Sequence, residues 1–447
     1  DYAIPEMLYH PQRLTRPLIR TGRRGSGEFR EASWEEVIPL VAERIASSGN
    51  PLDGAVMPLG GSGSCRGAVH NTARLTRRFL AFLGGYTETS GNYSSQAVSF
   101  MNPLLFGTQE VGIDVRTLFS SELVILWGFN PADTRFGTET EQVLRTLKRR
   151  GLPMVVIDPR RTATVDLCGA EWLPINPGTD SALAAAMLHS VLERKPAAAA
   201  RLAEYSIGYE PIVDLVTGKS DGVVRDLAWA AGICGLPADR LAAFTERYIE
   251  AFPAAILPGL SIQRTLAGED TNRMLALLQL AAGNCGVAGG SSGAGKWSSV
   301  PEPRCPSIPV PPNPAGREVP VYEWADAVAS GSSGVTMLYN VGGNYAVQSG
   351  NSSLVLEALR QVETVVTHEF FLTPTAAWSD IVLPAAMYPE RSDICFSSSG
   401  LLFYSQQAVE PPPGVKSDYD IFALLSAELG FHDEFTGGGK SADQWVA

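Results

Sequence analysis

Apolar residues along this chain fall into two patterns, short unbroken runs and helical stripes. Leu123-Val124-Ile125-Leu126-Trp127 and Met154-Val155-Val156-Ile157 are unbroken runs, the pattern of strands buried on both faces. Between them Val143, Leu144 and Leu147 recur at helical spacing over 138–150, with a basic last turn and Gly151 beyond it. This β-α-β order predicts parallel strands joined by a crossover helix. Further strands are predicted at 54–59, 172–175, 255–257, 335–339, 362–367 and 380–383. Ser33-Trp34-Glu35-Glu36 reads as a capping box opening a helix to about Ile45, with Ser33 accepting from an amide and Glu36 reaching back. Leu75, Phe79, Leu80 and Leu83 mark a helix over 70–83, stopped by Gly84-Gly85. Other helices are predicted at 182–192 behind Thr179-Asp180-Ser181, and at 272–282, 353–360 and 419–428. Residues 1–32 read as basic and turn-rich, and 286–314 as a Gly/Ser/Pro-rich excursion between domains. The class is α/β, with mainly parallel sheets covered by helices on both faces.

Composition narrows the picture. At roughly 100–200 residues per domain, 447 residues allow two to four domains. With 44 glycines, 31 prolines and ordinary aromatic content, the chain is loop-rich rather than disordered. A net charge of −12 argues against nucleic acid or an anionic membrane surface as partner, though a local basic pocket for phosphates stays open. No apolar run reaches the roughly 18 residues of a membrane span. Cysteines stand at 65, 168, 234, 285, 305 and 395, with no CxxC pair. That spacing excludes a local zinc finger or cysteine-ligated cluster and disfavours a disulfide framework; most read as buried thiols.

Parallel sheets bind ligands at the carboxyl ends of their strands, where several polar or glycine-rich loops are predicted. Trp127-Gly128-Phe129-Asn130-Pro131 follows one strand and Asp158-Pro159-Arg160-Arg161-Thr162 the next. Pro177-Gly178-Thr179-Asp180 precedes a helix, and Gly342-Gly343-Asn344 follows another strand. Asp158 suits a ribose diol, and Arg160 or Arg161 a phosphate. No G-x-G-x-x-G or Walker A motif is present, which disfavours an ordinary NAD or ATP site. Each loop alone is an ordinary turn; four together point to a large nucleotide-like ligand.

In this order the motifs resemble the catalytic subunits of molybdopterin oxidoreductases of the dimethyl sulfoxide reductase superfamily, across nearly the whole chain. Tyr9-His10-Pro11-Gln12-Arg13-Leu14 with Ser33-Trp34-Glu35-Glu36 is similar to the family segment after its iron–sulfur region. Gly84-Gly85-Tyr86 and Gly91-Asn92-Tyr93-Ser94-Ser95 resemble its metal-ligand loop. Trp127 to Thr134, Ile157 to Arg161 and Pro177 to Asp180 resemble its guanine-dinucleotide contacts. Gly259 to Gln263, Gly283-Asn284, and Gly342-Gly343-Asn344 with Gln348 also match. The stretch from Thr373-Pro374-Thr375-Ala376 through Asp380-Ile381-Val382-Leu383-Pro384 to Glu390-Arg391 is the most characteristic.

The resemblance implies a bis(molybdopterin guanine dinucleotide) cofactor holding Mo or W, with Ser94 as the metal's protein ligand. Its implied cofactor contacts are Tyr93, Trp127, Gly128, Asn130, Thr134, Ile157, Asp158, Arg160, Pro177, Gly178, Asp180, Gly259, Gln263, Gly342, Gly343, Asn344, Gln348 and His368. Without the resemblance, Ser94 and Ser95 are simply helix-capping serines. Cys65 is the rival ligand, in a Gly61-Ser62-Gly63-Ser64-Cys65 loop where sulfoxide reductases carry a tyrosine and a tryptophan. It stands equally well as an inert pocket thiol. His70 reads as a residue at a helix start; His10, His189 and His432 as surface or structural. The implied architecture is a discontinuous α/β domain of 1–110 plus 325–447, with an inserted, doubly wound, Rossmann-like domain at 111–324. The implied reaction is reduction of a small S- or N-oxide by oxygen-atom transfer; a hydratase or transhydroxylase relative, or a cofactor module without activity, is the alternative. The family's cluster-binding cysteines and its C-terminal cofactor domain have no counterpart here, so a [4Fe-4S] cluster is expected only in an upstream segment. An iron–sulfur electron-transfer subunit is the expected partner, in anaerobic respiration, and the family favours the periplasm.

Overall fold

A computed structural model of the chain describes residues 3–60, 67–109, 111–134, 139–295, 305–396 and 401–447. Internal packing gathers them into two units. One, discontinuous, takes the described residues up to Tyr93, from 305 to Phe396 and from Leu402 to Ala447; the other runs from Ser94 to 295, with Leu401.

The discontinuous unit is built on a six-stranded sheet. Its order is Phe29–Glu31, Leu18–Arg20, Ile381–Pro384, Thr364–Glu369, Met337–Val341, Val56–Gly60. The last four are parallel, and the first two add an antiparallel edge. Val56 pairs with Met337 and Gly60 with Val341, so strands from the two ends of the chain share one register. Successive side chains in a strand point to opposite faces. Met337, Tyr339 and Val341 accordingly pack with residues of the helices Trp34–Ser47, Thr72–Leu83 and Asp418–Glu428. Leu338 lies on the other face, with Trp324–Ala329 and Ser352–Gln361.

The inserted unit has a four-stranded, wholly parallel sheet, ordered Glu171–Leu173, Met154–Ile157, Leu123–Trp127, Ala254–Pro258. Leu123, Ile125 and Trp127 face Asp180–Arg194, Ala238–Glu250 and Gly268–Ala282. Val124 and Leu126 face Glu139–Arg149 and Ala163–Cys168. From Leu123–Trp127 the chain steps outward through two strands, then returns to the opposite side for Ala254–Pro258. The strand order therefore reverses beside Leu123–Trp127, the kind of place where open α/β sheets bind ligands.

The two unbroken apolar runs are strands at the expected bounds. Elsewhere tertiary pairing overrides local pattern. Residues 18–20 and 29–31, expected as turns, are strands because 18–20 pairs with Ile381–Pro384 at the sheet edge and 29–31 pairs with 18–20. Ser33 accepts from the Glu36 amide at 3.3 Å, but the Glu36 carboxylate turns to Arg30 instead of closing the expected capping box. Among the described residues the units divide at 93/94 and between 295 and 305, where the sequence suggested 110/111 and 324/325. The reasons are local: the helix Gln96–Phe106 packs on Gly268–Ala282, and Arg317–Pro320 pairs in parallel with Thr87–Ser90. Among the described residues no helix is long and apolar enough to cross a membrane.

Candidate functional site

In the inserted unit all four strands end at the same edge, and the loops there lace to one another. The Gly128 amide donates to the Ile157 carbonyl at 2.8 Å, and the Gly259 amide to the Trp127 carbonyl at 2.8 Å. A Cβ on Gly259 would lie 1.9 Å from the Gly128 carbonyl oxygen, so only glycine fits. Ser261 Oγ donates to that same oxygen at 2.6 Å. Asn130 joins the first loop to the next: Thr164 Oγ1 donates to its Oδ1 at 2.6 Å, and its Nδ2 donates to Asp133 at 2.7 Å. Thr134, exposed, closes the turn through its amide to the Asn130 carbonyl at 2.8 Å.

The other candidates of this unit separate into inward and outward groups. Trp127 is wholly buried, and its Nε1 donates to Asp180 Oδ1 at 2.8 Å. Burial pushes the Asp180 carboxyl up, and the Trp127 bond opposes that shift. Ile157 is also fully buried, so these three support the loops from beneath. Asp158 is half-buried; burial raises its carboxyl, against the Arg160 amide that donates to it at 2.9 Å. Arg160, Pro177 and Gly178 are exposed, and open space surrounds the position a Gly178 Cβ would take.

Ser94 is half-buried at the start of this unit, one residue before the N-cap of Gln96–Phe106. Ser95 occupies the N-cap without a side-chain cap hydrogen bond, so the capping account of these serines falls short. Gln263 Nε2 donates to the Ser94 carbonyl at 2.7 Å, while Gln263 Oε1 accepts from the Val98 amide at 3.0 Å. Arg264 adds Nε to the Ser94 carbonyl and Nη2 to Ser94 Oγ, both at 2.9 Å. Arg264 escaped the sequence reading because a lone exposed arginine is by default a solvated charge. Its place directly after Gln263 was the available signal.

The discontinuous unit presents a second set. Gly342, with φ +68°, faces open space at the end of Met337–Val341. Gly343 is hemmed in by Asn340, Tyr345 and the Gly60 backbone. Asn344 Oδ1 accepts from the Thr375 amide and hydroxyl at 3.2 and 2.9 Å, and Gln348 Oε1 accepts from the Asn344 amide at 3.1 Å. The loop is thus pinned to the Thr373–Ala376 motif. Tyr93, 40 % exposed, donates its hydroxyl to the Val321 carbonyl at 2.6 Å. His368 departs from the role expected of it. It is 1 % exposed, its Nε2 meets Tyr339 Oη at 2.9 Å and its Nδ1 meets Asp418 Oδ1 at 2.9 Å. Both ring nitrogens are engaged inside the core. Burial alone would raise the Asp418 carboxyl; the His368 bond and the nearby Arg391 charge outweigh it and hold the group below its ordinary range.

Other motif residues prove structural. Arg13 and Glu390, from the first and last family-like stretches, form a buried two-pronged ion pair with both contacts at 2.5 Å. Asp380 accepts from Arg20 Nε at 2.9 Å and from the Val365 amide at 2.8 Å. Cys65 lies outside the described residues. The described cysteines are free thiols; Cys168 and Cys234 are buried, whereas Cys285, Cys305 and Cys395 are partly exposed. Burial lifts the Cys168 thiol to about 12 and Cys285 to about 11, so both are inert. Among the described residues no three His, Cys, Asp or Glu side chains are grouped to hold a metal.

Comparison with known proteins gives this geometry its context. The chain is 27% identical to a dimethyl sulfoxide reductase of Haemophilus influenzae over 98% of its length, and 30% identical to a dimethyl sulfoxide/trimethylamine N-oxide reductase of Rhodobacter capsulatus over 99%. It spans 60% of the length of each. The solved structure of acetylene hydratase from Pelobacter acetylenicus shares its fold, with a TM-score of 0.75 at 19% identity, covering 97% of this chain and 63% of that one. The family model for molybdopterin oxidoreductase matches residues 13–428. The chain belongs to the molybdopterin oxidoreductase family, within the dimethyl sulfoxide reductase superfamily.

Proposed function

We propose that this chain is the cofactor-bearing part of a molybdenum or tungsten enzyme that reduces a small S- or N-oxide by oxygen-atom transfer. The observation that carries the reading is the hold on Ser94: Gln263 and Arg264 fix its main chain and its hydroxyl on a half-buried segment. A hydroxyl oxygen is a hard donor, suited to a high-valent metal, and Ser94 is the proposed protein ligand. The relatives' names, dimethyl sulfoxide and trimethylamine N-oxide reductase, supply the substrate class.

The residues present also fit a bis(molybdopterin guanine dinucleotide). Open space at Gly178 and Gly342 lets a ligand approach the backbone at strand ends in each unit. Asp158 is proposed to accept from a ribose diol, with exposed Arg160 on a phosphate. Trp127 and Asp180 hold the loops from below rather than through direct contact. Bound there, the metal and its pterins would supply the two-electron redox chemistry. Electron delivery from an iron–sulfur subunit, through a [4Fe-4S] cluster outside this chain and in the periplasm, belongs to the same proposal.

The test is metal analysis of the full-length enzyme, with oxidation of a reduced viologen dye on adding dimethyl sulfoxide or trimethylamine N-oxide. Bound Mo or W and substrate-dependent dye oxidation are expected. Ser94→Ala should slow the reaction roughly tenfold or more, since even outer-shell partners are worth about 10–100-fold. Absence of Mo and W, with Ser94→Ala as active as the parent, would sink the reading. A metal-loaded enzyme that no oxide can reoxidise would favour hydration chemistry instead.

A further inference from the structure

We infer that Arg264 is a positioning residue that sets the direction of the Ser94 hydroxyl, an inference that rests on Ser94 being the metal's ligand. One guanidinium engages two oxygens of the same residue: Nε donates to the Ser94 carbonyl and Nη2 to Ser94 Oγ, each at 2.9 Å. The planar fork of arginine fixes main chain and side chain together, so the Ser94 rotamer is coupled to its backbone. Among the described residues Arg264 makes no ion pair, and its charge is directed at a serine instead of a carboxylate. Gln263 braces the same segment from the neighbouring position, through the Ser94 carbonyl at 2.7 Å and the Val98 amide at 3.0 Å.

The backbone behind this pair is independently unusual. Ala267 has φ +56°, the one positive-φ non-glycine among the described residues. An alanine keeps that conformation only where its surroundings impose it. A Cβ on Gly268 would meet the Gln263 carbonyl at 2.3 Å, so the chain folds back sharply on itself between Gln263 and the helix Gly268–Ala282. The reversal leaves Leu266 99 % exposed. What it achieves is to bring two consecutive side chains, Gln263 and Arg264, onto the 94–98 segment.

The test compares parent, Arg264→Lys, Arg264→Gln and Ser94→Ala forms of the metal-loaded full-length enzyme by metal content and by the electron paramagnetic resonance of the half-reduced metal. Arg264→Gln is expected to retain metal, to lose the parent's single signal and to shift toward the Ser94→Ala spectrum. Arg264→Lys, keeping one donor, should lie between. A parent-like Arg264→Gln spectrum beside a changed Ser94→Ala spectrum overturns the inference and leaves Ser94 as ligand. A parent-like Ser94→Ala spectrum overturns the ligand reading, and the inference with it. If Arg264→Gln does not accumulate, hydrogen exchange of the metal-free Arg264→Lys form decides: exchange over 94–98 should rise roughly threefold or more, and unchanged exchange overturns the inference.

Discussion

Two polar groups, one in each unit, use similar atoms to opposite ends. His368, Asp418 and Tyr339 close on one another inside the core, with the His368 and Asp418 side chains 0 and 5 % exposed. Ser94, Gln263 and Arg264 also interlock, but Ser94 is half-buried and the Arg264 side chain is exposed. The first group is complete without a ligand and the second stands where one can arrive. A position at a strand's carboxyl end is therefore not enough to make a binding residue. What differs between the two groups is exposure: the first is shut off from solvent and the second is not.

The sharpest way to break this comparison is to remove one partner from each group. Asp418→Ala strands His368 in the core and should cost about 3–5 kcal/mol, read as a large fall in the urea midpoint. Arg264→Gln, at an exposed site, should change stability by under about 1 kcal/mol. Equal losses would show that the second group is as structural as the first. Next come the glycines of the inserted unit. Gly259→Ala drives a Cβ into the Gly128 carbonyl and should cost about 3 kcal/mol, whereas Gly178→Ala meets open space and should cost only about 1–2 kcal/mol for its positive φ. Comparable thermal shifts for the two would mean that the Gly128–Gly259 approach is not tight.

The closed core of the discontinuous unit also carries a pH slope. His70 is buried, its Nδ1 has no partner among the described residues, and burial followed by repulsion from Arg391 lowers its pKa to about 3, with Asp418 opposing. A depressed folded pKa means that the unfolded chain binds the proton first. Stability from this group is intact above about 6.5 and is lost as pH falls toward about 3, with a slope of up to ~1.4 kcal/mol per pH unit. His70→Gln should flatten the stability curve between pH 6 and 4. An unchanged slope would assign the acid limb to carboxylates alone.

The core strands were legible because Leu123–Trp127 and Met154–Ile157 are buried on both faces and so carry no polar interruption. The edge strands were not. Leu18–Arg20 and Phe29–Glu31 are three residues each and partly or fully exposed; the first is held by distant Ile381–Pro384 and the second only by the first. The same holds for Thr87–Ser90, whose partner Arg317–Pro320 lies far along the sequence. Asp158, Arg160 and Gly178 could be placed on the loops of a strand-end rim because turn chemistry is local. Trp127 and Asp180 could not be recognised as its underside, since the bond joining them spans 53 residues. Ser94 was reached only through resemblance, for the groups that hold it stand about 170 positions away.

The pairing of Val56–Gly60 with Met337–Val341 has a consequence for synthesis. The strand at 56–60 leaves the ribosome with its sheet neighbour Met337–Val341 still unmade. At roughly 5–20 residues per second, the intervening chain takes some tens of seconds to appear. During that interval an apolar strand edge, and the faces of Trp34–Ser47 and Thr72–Leu83 that will cover it, have no native cover. The inserted unit, apart from Leu401, is encoded before the strand that completes its host's sheet. Residues up to Tyr93 therefore wait longer for their native partners than those beyond 305 do.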